Sequence, residues 1–174
     1  AGRFSIQLND YQHTERDVAT GEIGTLFNND TVSFRAVVDH ARRGVFSGSF
    51  GTEGSHRDYE SIGAEALTPP TKANQFAVFG VETLNFEHAV LQFGGRVERN
   101  AYDSLSLEDR GFTGFSGAVG LRVPLPRDFS FVTNFSSSYR APALEELYNF
   151  GPHRGNLAFE IGDVNLDRER TTGF

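Results

Sequence analysis

The chain has 174 residues, a formal net charge of −7, 19 glycines and 17 phenylalanines, and it holds no cysteine, methionine or tryptophan. Without cysteine there is no disulfide framework and no thiolate metal site. The acidic balance excludes the basic stripe of a nucleic-acid binder, and no apolar run approaches the ~18 residues of a membrane helix.

Hydropathy averaged over a window would class the chain as water-soluble, but alternating membrane strands average out in such a window. Alternation with period two is the dominant pattern here. Phe4, Ile6 and Leu8 share one face of the first segment, opposite Ser5, Gln7 and Asn9. Val32, Phe34, Ala36 and Val38 then oppose Ser33, Arg35 and Asp39. Segments 45–58 and 74–86 follow with a noisier pattern. Leu91, Phe93, Gly95 and Val97 oppose Gln92, Gly94, Arg96 and Glu98. Phe115, Val119, Leu121 and Val123 oppose Ser116, Ala118 and Arg122; Phe129, Phe131, Thr133 and Phe135 oppose Ser130, Asn134 and Ser136. A last strand is expected from Asp167 onward. These make about eight strands, many of them as long as the ~9–11 residues that a tilted membrane strand requires.

The connections alternate in length. Short ones fall at Arg42–Gly44, Glu87–His88 and Pro126–Asp128, and longer polar ones near 16–24, 59–73, 103–111 and 142–166. That asymmetry is the pattern of an outer-membrane barrel, with short periplasmic turns and long extracellular loops. The expected fold is therefore all-β: an antiparallel transmembrane β-barrel segment of about eight meandering strands. Phe, Val and Leu face lipid, while Ser, Gln, Asn, Arg and Glu face an aqueous or plugged lumen. Arg35, Arg96 and Arg122 then stay off the lipid face, where a midplane Arg would cost roughly 2–4 kcal/mol. Two alternatives remain: a complete eight-stranded barrel with a structural or adhesive role, and a soluble β-sheet binding domain. No nucleophile, base and orienting acid can be placed in one site, so no enzyme is expected. No cofactor is expected either.

The stretch from Tyr139 to Glu169 departs from this rhythm. Tyr139 ends a strand, where its ring suits the headgroup level. Pro142 lacks an N–H and ends the ladder, and Ala143–Tyr148 holds helix formers after it, so one helical turn is expected there. Leu144, Leu147 and Tyr148 could pack that turn on the barrel rim. Gly151 and Gly155 permit unusual backbone conformations. Asn165 suits a turn, with Leu166 anchoring the start of the next strand. These residues resemble the late barrel region of TonB-dependent outer-membrane receptors. Tyr139, Arg140, Ala141 and Pro142 match its Tyr-Arg/Lys-Ala-Pro segment, and Glu146, Leu147 and Tyr148 its Glu-Leu-Tyr/Phe. Gly162, Asn165, Leu166 and Glu169 match its last motif, with Asp163 and Val164 where the family has Asn-Pro. Asp10–Gly24 is similar to the family as well, so the resemblance spans nearly the whole chain.

The resemblance implies a receptor in the outer membrane of a Gram-negative bacterium for a scarce nutrient, in contact with outer-membrane lipid and energised by the TonB complex. It implies a barrel of about 22 strands closed by a plug domain. Residues 1–174 are then a partial barrel domain without plug or TonB box, which agrees with a chain that opens on Ala1 and has no signal peptide. Phe174 mimics a terminal aromatic signal, but RERTTGF lacks the apolar alternation expected before it. For the ligand, His13, His56 and His153 lie at upper strand ends or in long loops, with Glu15, Asp58 and Glu160 nearby in sequence. Imidazole with carboxylate suits zinc. Haem and cobalamin are further candidates; the rival to zinc, an anionic ferric siderophore, would instead favour Arg57, Tyr59, Arg140 and Arg154.

Overall fold

The computed structural model describes residues 1–18, 20–64, 66–153 and 158–174. Eight strands form one antiparallel sheet: β1 (Gly2–Arg16), β2 (Ile23–Arg43), β3 (Phe46–Ile62), β4 (Thr71–Asn85), β5 (Val90–Ser104), β6 (Arg110–Pro124), β7 (Ser130–Arg140) and, after an inserted subdomain, β10 (Glu169–Gly173). Their order is β1-β2-β3-β4-β5-β6-β7-β10, a meander in which each strand pairs with its predecessor. The insertion contains helix α1 (Leu144–Tyr148) and a hairpin of β8 (Phe150–His153) with β9 (Ala158–Ile161).

The register carries the alternation across the whole sheet. Phe4 pairs with Ala36, Ala36 with Thr52, Thr52 with Val78, Val78 with Val97 and Val97 with Phe115, which makes one continuous apolar row. On this face Phe4, Leu8, Phe50, Phe76, Val97 and Phe115 are all at least half exposed. So large an apolar patch is untenable in water and natural in lipid. The opposite face is polar. Arg35 pairs with Glu53; Glu53 Oε1 lies 2.7 Å from Arg96 Nη1; Arg96 Nε donates to Glu98 Oε2 at 2.7 Å; and Asn100 Nδ2 donates to Glu98 Oε1 at 2.9 Å. Arg35 also stacks on Phe79, 4.6 Å from the ring centre. Alternating charges thus neutralise one another across neighbouring strands.

The strands run longer than the sequence suggests. β2 has 21 residues and β3 has 17. At ~3.3 Å per residue β2 extends about 70 Å, well beyond what a tilted crossing of the hydrocarbon layer needs. The excess lies at the loop end. There the apolar face gives way to a row of Asp10, Asp30, Asp58, Lys72 and Asp103, paired in that order. Strand pairing therefore absorbs much of the expected long loops: Tyr59 and Arg57 stand on β3, and the connections shrink to 17–22, 63–70 and 105–109. The short ends fall at 44–45, 86–89 and 125–129, as the sequence implies.

Among the described residues β1 and β10 each have one neighbour and do not pair with one another. This overturns the complete eight-stranded barrel, whose first and last strands would close the ring. One lipid-face expectation also needs correction. Arg35, Arg96 and Arg122 do lie on the polar face, but Arg99, paired with Phe76 and Thr113, lies on the apolar one.

A charge on the two faces should have opposite consequences. Phe93→Arg, on the apolar face, is expected to destabilise the folded protein in bilayers by about 2–4 kcal/mol. Gln92→Arg, on the polar face, should cost under about 1 kcal/mol. Urea titration of folding into vesicles checks this, and equal losses would contradict the assignment of faces.

Candidate functional site

The described residues of the inserted segment, 141–153 and 158–168, fold back over the polar face instead of projecting away from it. Its anchor is a buried cluster in which Leu144, Leu147 and Tyr148 of α1 meet Tyr59 of β3, Tyr102 of β5 and Phe112 of β6. Tyr102 and Phe112 pack edge to face at 6.2 Å. Two of the tyrosine hydroxyls find carbonyls: Tyr102 Oη donates to Pro142 O at 2.8 Å and Tyr148 Oη to Glu108 O at 2.9 Å. Burial raises the Tyr148 phenol above its usual value, so it stays a neutral donor. Leu144 and Leu147 are buried almost completely, in keeping with the expected packing of the turn.

The charged residues of the Tyr139–Glu169 motif close on one another. Arg140 sends Nη2 and Nη1 to the two Glu146 oxygens at 2.9 and 3.1 Å, and Nε and Nη2 to the two Glu169 oxygens at 2.8 and 3.0 Å. Glu146 Oε2 also accepts from Ala143 N at 2.7 Å, which is half of a capping box at the start of α1. Ala143 has no hydroxyl to supply the other half. The Arg140 guanidinium, and then this backbone N–H, hold the Glu146 carboxyl below its ordinary range. Arg140 thereby ties the end of β7, the helix and the start of β10 into one unit.

The rest of the motif is close packing. A Cβ on Gly162 would fall 2.8 Å from the Leu147 carbonyl, so only glycine lets the chain leaving β9 pass the helix. Gly162 N donates to Asn149 O and Asp163 N to Glu146 O, at 2.6 and 3.0 Å. Asp163 then organises the turn, accepting from Asn165 N at 2.8 Å through Oδ1. Two expectations change here. Val164, not Leu166, packs on the buried cluster, while Leu166 contributes its carbonyl to Arg110 Nη2 at 3.0 Å. The Tyr139 ring turns in over Gly114 to join the cluster's edge instead of standing outward at headgroup level. Gly114 has no side chain, and the ring occupies the space one would need.

The ligand candidates separate into two groups. His153 Nδ1 lies 2.6 Å from Glu160 Oε1, and its Nε2 lies 4.0 Å from Glu15 Oε1 on β1. Glu160 also accepts from Asn149 Nδ2 at 2.6 Å, which fixes the hairpin to the end of the helix. His13, two residues from Glu15 on the same strand, stacks on Phe27 at 4.4 Å with planes 7° apart. Its Nδ1 is buried without a hydrogen-bond partner. His153, Glu160, Glu15 and His13 thus gather on the polar side of the sheet. His56 does not join them: it lies on the apolar face in the row of Leu8 and Val32, bonded through Nδ1 to Asn74 Oδ1 at 2.8 Å. Among the described residues no three His or carboxylate groups are placed to hold one metal ion together. Arg57 is engaged by Asn29 and Glu145, at 2.8 and 3.0 Å, and stacks on Tyr59. Arg140 is engaged as described above. Arg154 and Gly155 lie outside the described residues.

A meander of long strands with one lipid-suited face, and a loop folded over the other, defines an outer-membrane β-barrel wall. The family of TonB dependent receptor-like β-barrels matches residues 2–174. The chain belongs to that family, whose members are receptors and transporters of the Gram-negative outer membrane.

The Gly114–Tyr139 contact gives a direct check on the inward loop. Gly114→Ala should destabilise the folded receptor by about 1–3 kcal/mol through overpacking. Gly114→Ala with Tyr139→Ala should recover part of that loss in the same urea titration. Additive losses would show that the two residues do not touch.

Proposed function

We propose that the chain is part of the wall of a TonB-energised receptor barrel of about 22 strands, roughly a third of it, and that its folded-back loop helps capture a metal-bearing nutrient, zinc before a metal chelate. The two sheet edges support the barrel reading. In hydrocarbon, each unpaired N–H or C=O on β1 or β10 costs several kcal/mol, and further barrel strands would satisfy them. A plug domain would then face the Arg35–Glu53–Arg96–Glu98 ladder.

The observation that carries the ligand reading is His153 with a carboxylate at each ring nitrogen, Glu160 at 2.6 Å and Glu15 at 4.0 Å, three groups that would have to turn toward one another to share an ion. Imidazole with two carboxylates is a donor set suited to zinc. Capture would need these side chains to trade their present hydrogen bonds for the ion. An anionic chelate would need free cations, and Arg57 and Arg140 already have carboxylate partners.

Zinc uptake by the full-length receptor in zinc-starved cells provides the test. His153→Ala should lower it about tenfold or more, leave ferric-chelate uptake unchanged, and match neither the wild type nor His88→Ala, a periplasmic-turn control. Expression of the gene should rise on zinc depletion. Unchanged zinc uptake in His153→Ala, or induction by iron depletion alone, would overturn the preference for zinc.

A further inference from the structure

On β5 the apolar face runs Leu91, Phe93, Gly95, Val97 and then meets Arg99, with Ala101 and Asp103 beyond. Arg99 is exposed and, among the described residues, has no carboxylate partner; its Nη1 donates to Thr113 Oγ1 at 3.2 Å. A Cβ on Gly111 would lie 3.4 Å from Arg99 Nη2, so the guanidinium reaches toward the loop end across a glycine. This is how a long cationic side chain escapes hydrocarbon, with its stem in the apolar layer and its head at the polar boundary.

Beside Arg99 the same face carries a groove lined by Val32, Phe34, His56, Asn74, Phe76 and Arg99. The Phe34 ring lies over Gly54 at its base, where a Cβ would meet the ring at 2.7 Å. The lower part is aromatic and aliphatic. The upper lip is polar: His56 Nδ1 is bonded to the Asn74 side-chain oxygen, which leaves the Asn74 amide as a donor. Lys72 stands one pleat above Asn74 in the boundary row.

We propose that this groove is a site for a single phosphate-bearing lipid of the outer leaflet, with an acyl chain along Val32 and the rings of Phe34 and Phe76, and its phosphate on Arg99 with help from Asn74. Charge complementarity selects the occupant. An arginine at the hydrocarbon boundary without a protein acid calls for an anion, and its planar fork matches two phosphate oxygens. The adjoining apolar groove calls for a chain attached to that anion. Free phosphate uses only the first feature and a neutral lipid only the second.

The inference rests on the barrel reading of the sheet, and its test separates the two. The full-length receptor is placed in phosphatidylcholine nanodiscs containing either phosphatidic acid or diacylglycerol of the same chains, and retained lipid is counted by native mass spectrometry. Wild type should retain phosphatidic acid about tenfold over diacylglycerol, the size expected for one charge-assisted hydrogen-bonded pair. Arg99→Ala should abolish that preference, Arg99→Lys should keep a reduced one, and Arg122→Ala, on the polar face, should keep it in full. Inorganic phosphate at the same concentration should not displace the lipid. Equal retention of the two lipids, an unchanged Arg99→Ala, or displacement by inorganic phosphate would overturn the proposal. A wild-type receptor that does not enter nanodiscs would instead contradict the barrel reading.

Discussion

A strand in hydrocarbon must pair every backbone N–H and C=O with another strand, because no water is there to take them. Everything else in this chain is arranged around that requirement. The meander gives each strand from β2 to β7 two hydrogen-bonded neighbours, and period-two geometry then decides the chemistry of each face. One face meets lipid and is built from Phe, Val, Leu and Ile. The other can carry Arg35, Glu53, Arg96 and Glu98, because their charges cancel along the sheet. Removing Glu53 would leave Arg35, and removing Arg96 would leave Glu98, without its ion-pair partner.

The inserted loop extends the same logic to the top of the wall. Its helix is only five residues long, too short to be stable alone. It persists because Leu144, Leu147 and Tyr148 are buried against aromatic residues supplied by three different strands. Arg140 holds the loop's two ends together through Glu146 and Glu169. The spacing of the motif is thereby accounted for by construction of the loop. Under the function proposed above, chemistry toward a ligand falls to His153 and its carboxylate neighbours.

Much of the fold was legible in the sequence because alternation is local. Phe4 to Leu8 and Leu91 to Val97 reveal their faces without knowledge of any partner. The short ends of the meander were legible for a similar reason, since each turn is a few polar residues between two runs. The inward docking of the loop was not legible. It rests on contacts such as Arg57 to Glu145, 88 residues apart, and Tyr102 to Pro142, 40 apart. The β8–β9 hairpin was hidden by its four-residue strands and by Pro152, which argues against a strand wherever it occurs. His56 illustrates the cost of reading sites from sequence: one residue from Arg57, it points to the other face. Arg99 fell just past the alternating run and so escaped notice, although the parity of β5 was enough to place it.

The central claim is that this sheet separates lipid from lumen, one residue at a time. Nitroxide labels placed singly at positions 91 to 98 of β5, in the full-length receptor reconstituted into bilayers, test it most directly. Labels at 91, 93, 95 and 97 should collide with oxygen, which concentrates in hydrocarbon, and those at 92, 94, 96 and 98 should be shielded from it. A flat profile, or one with the opposite phase, would contradict the account.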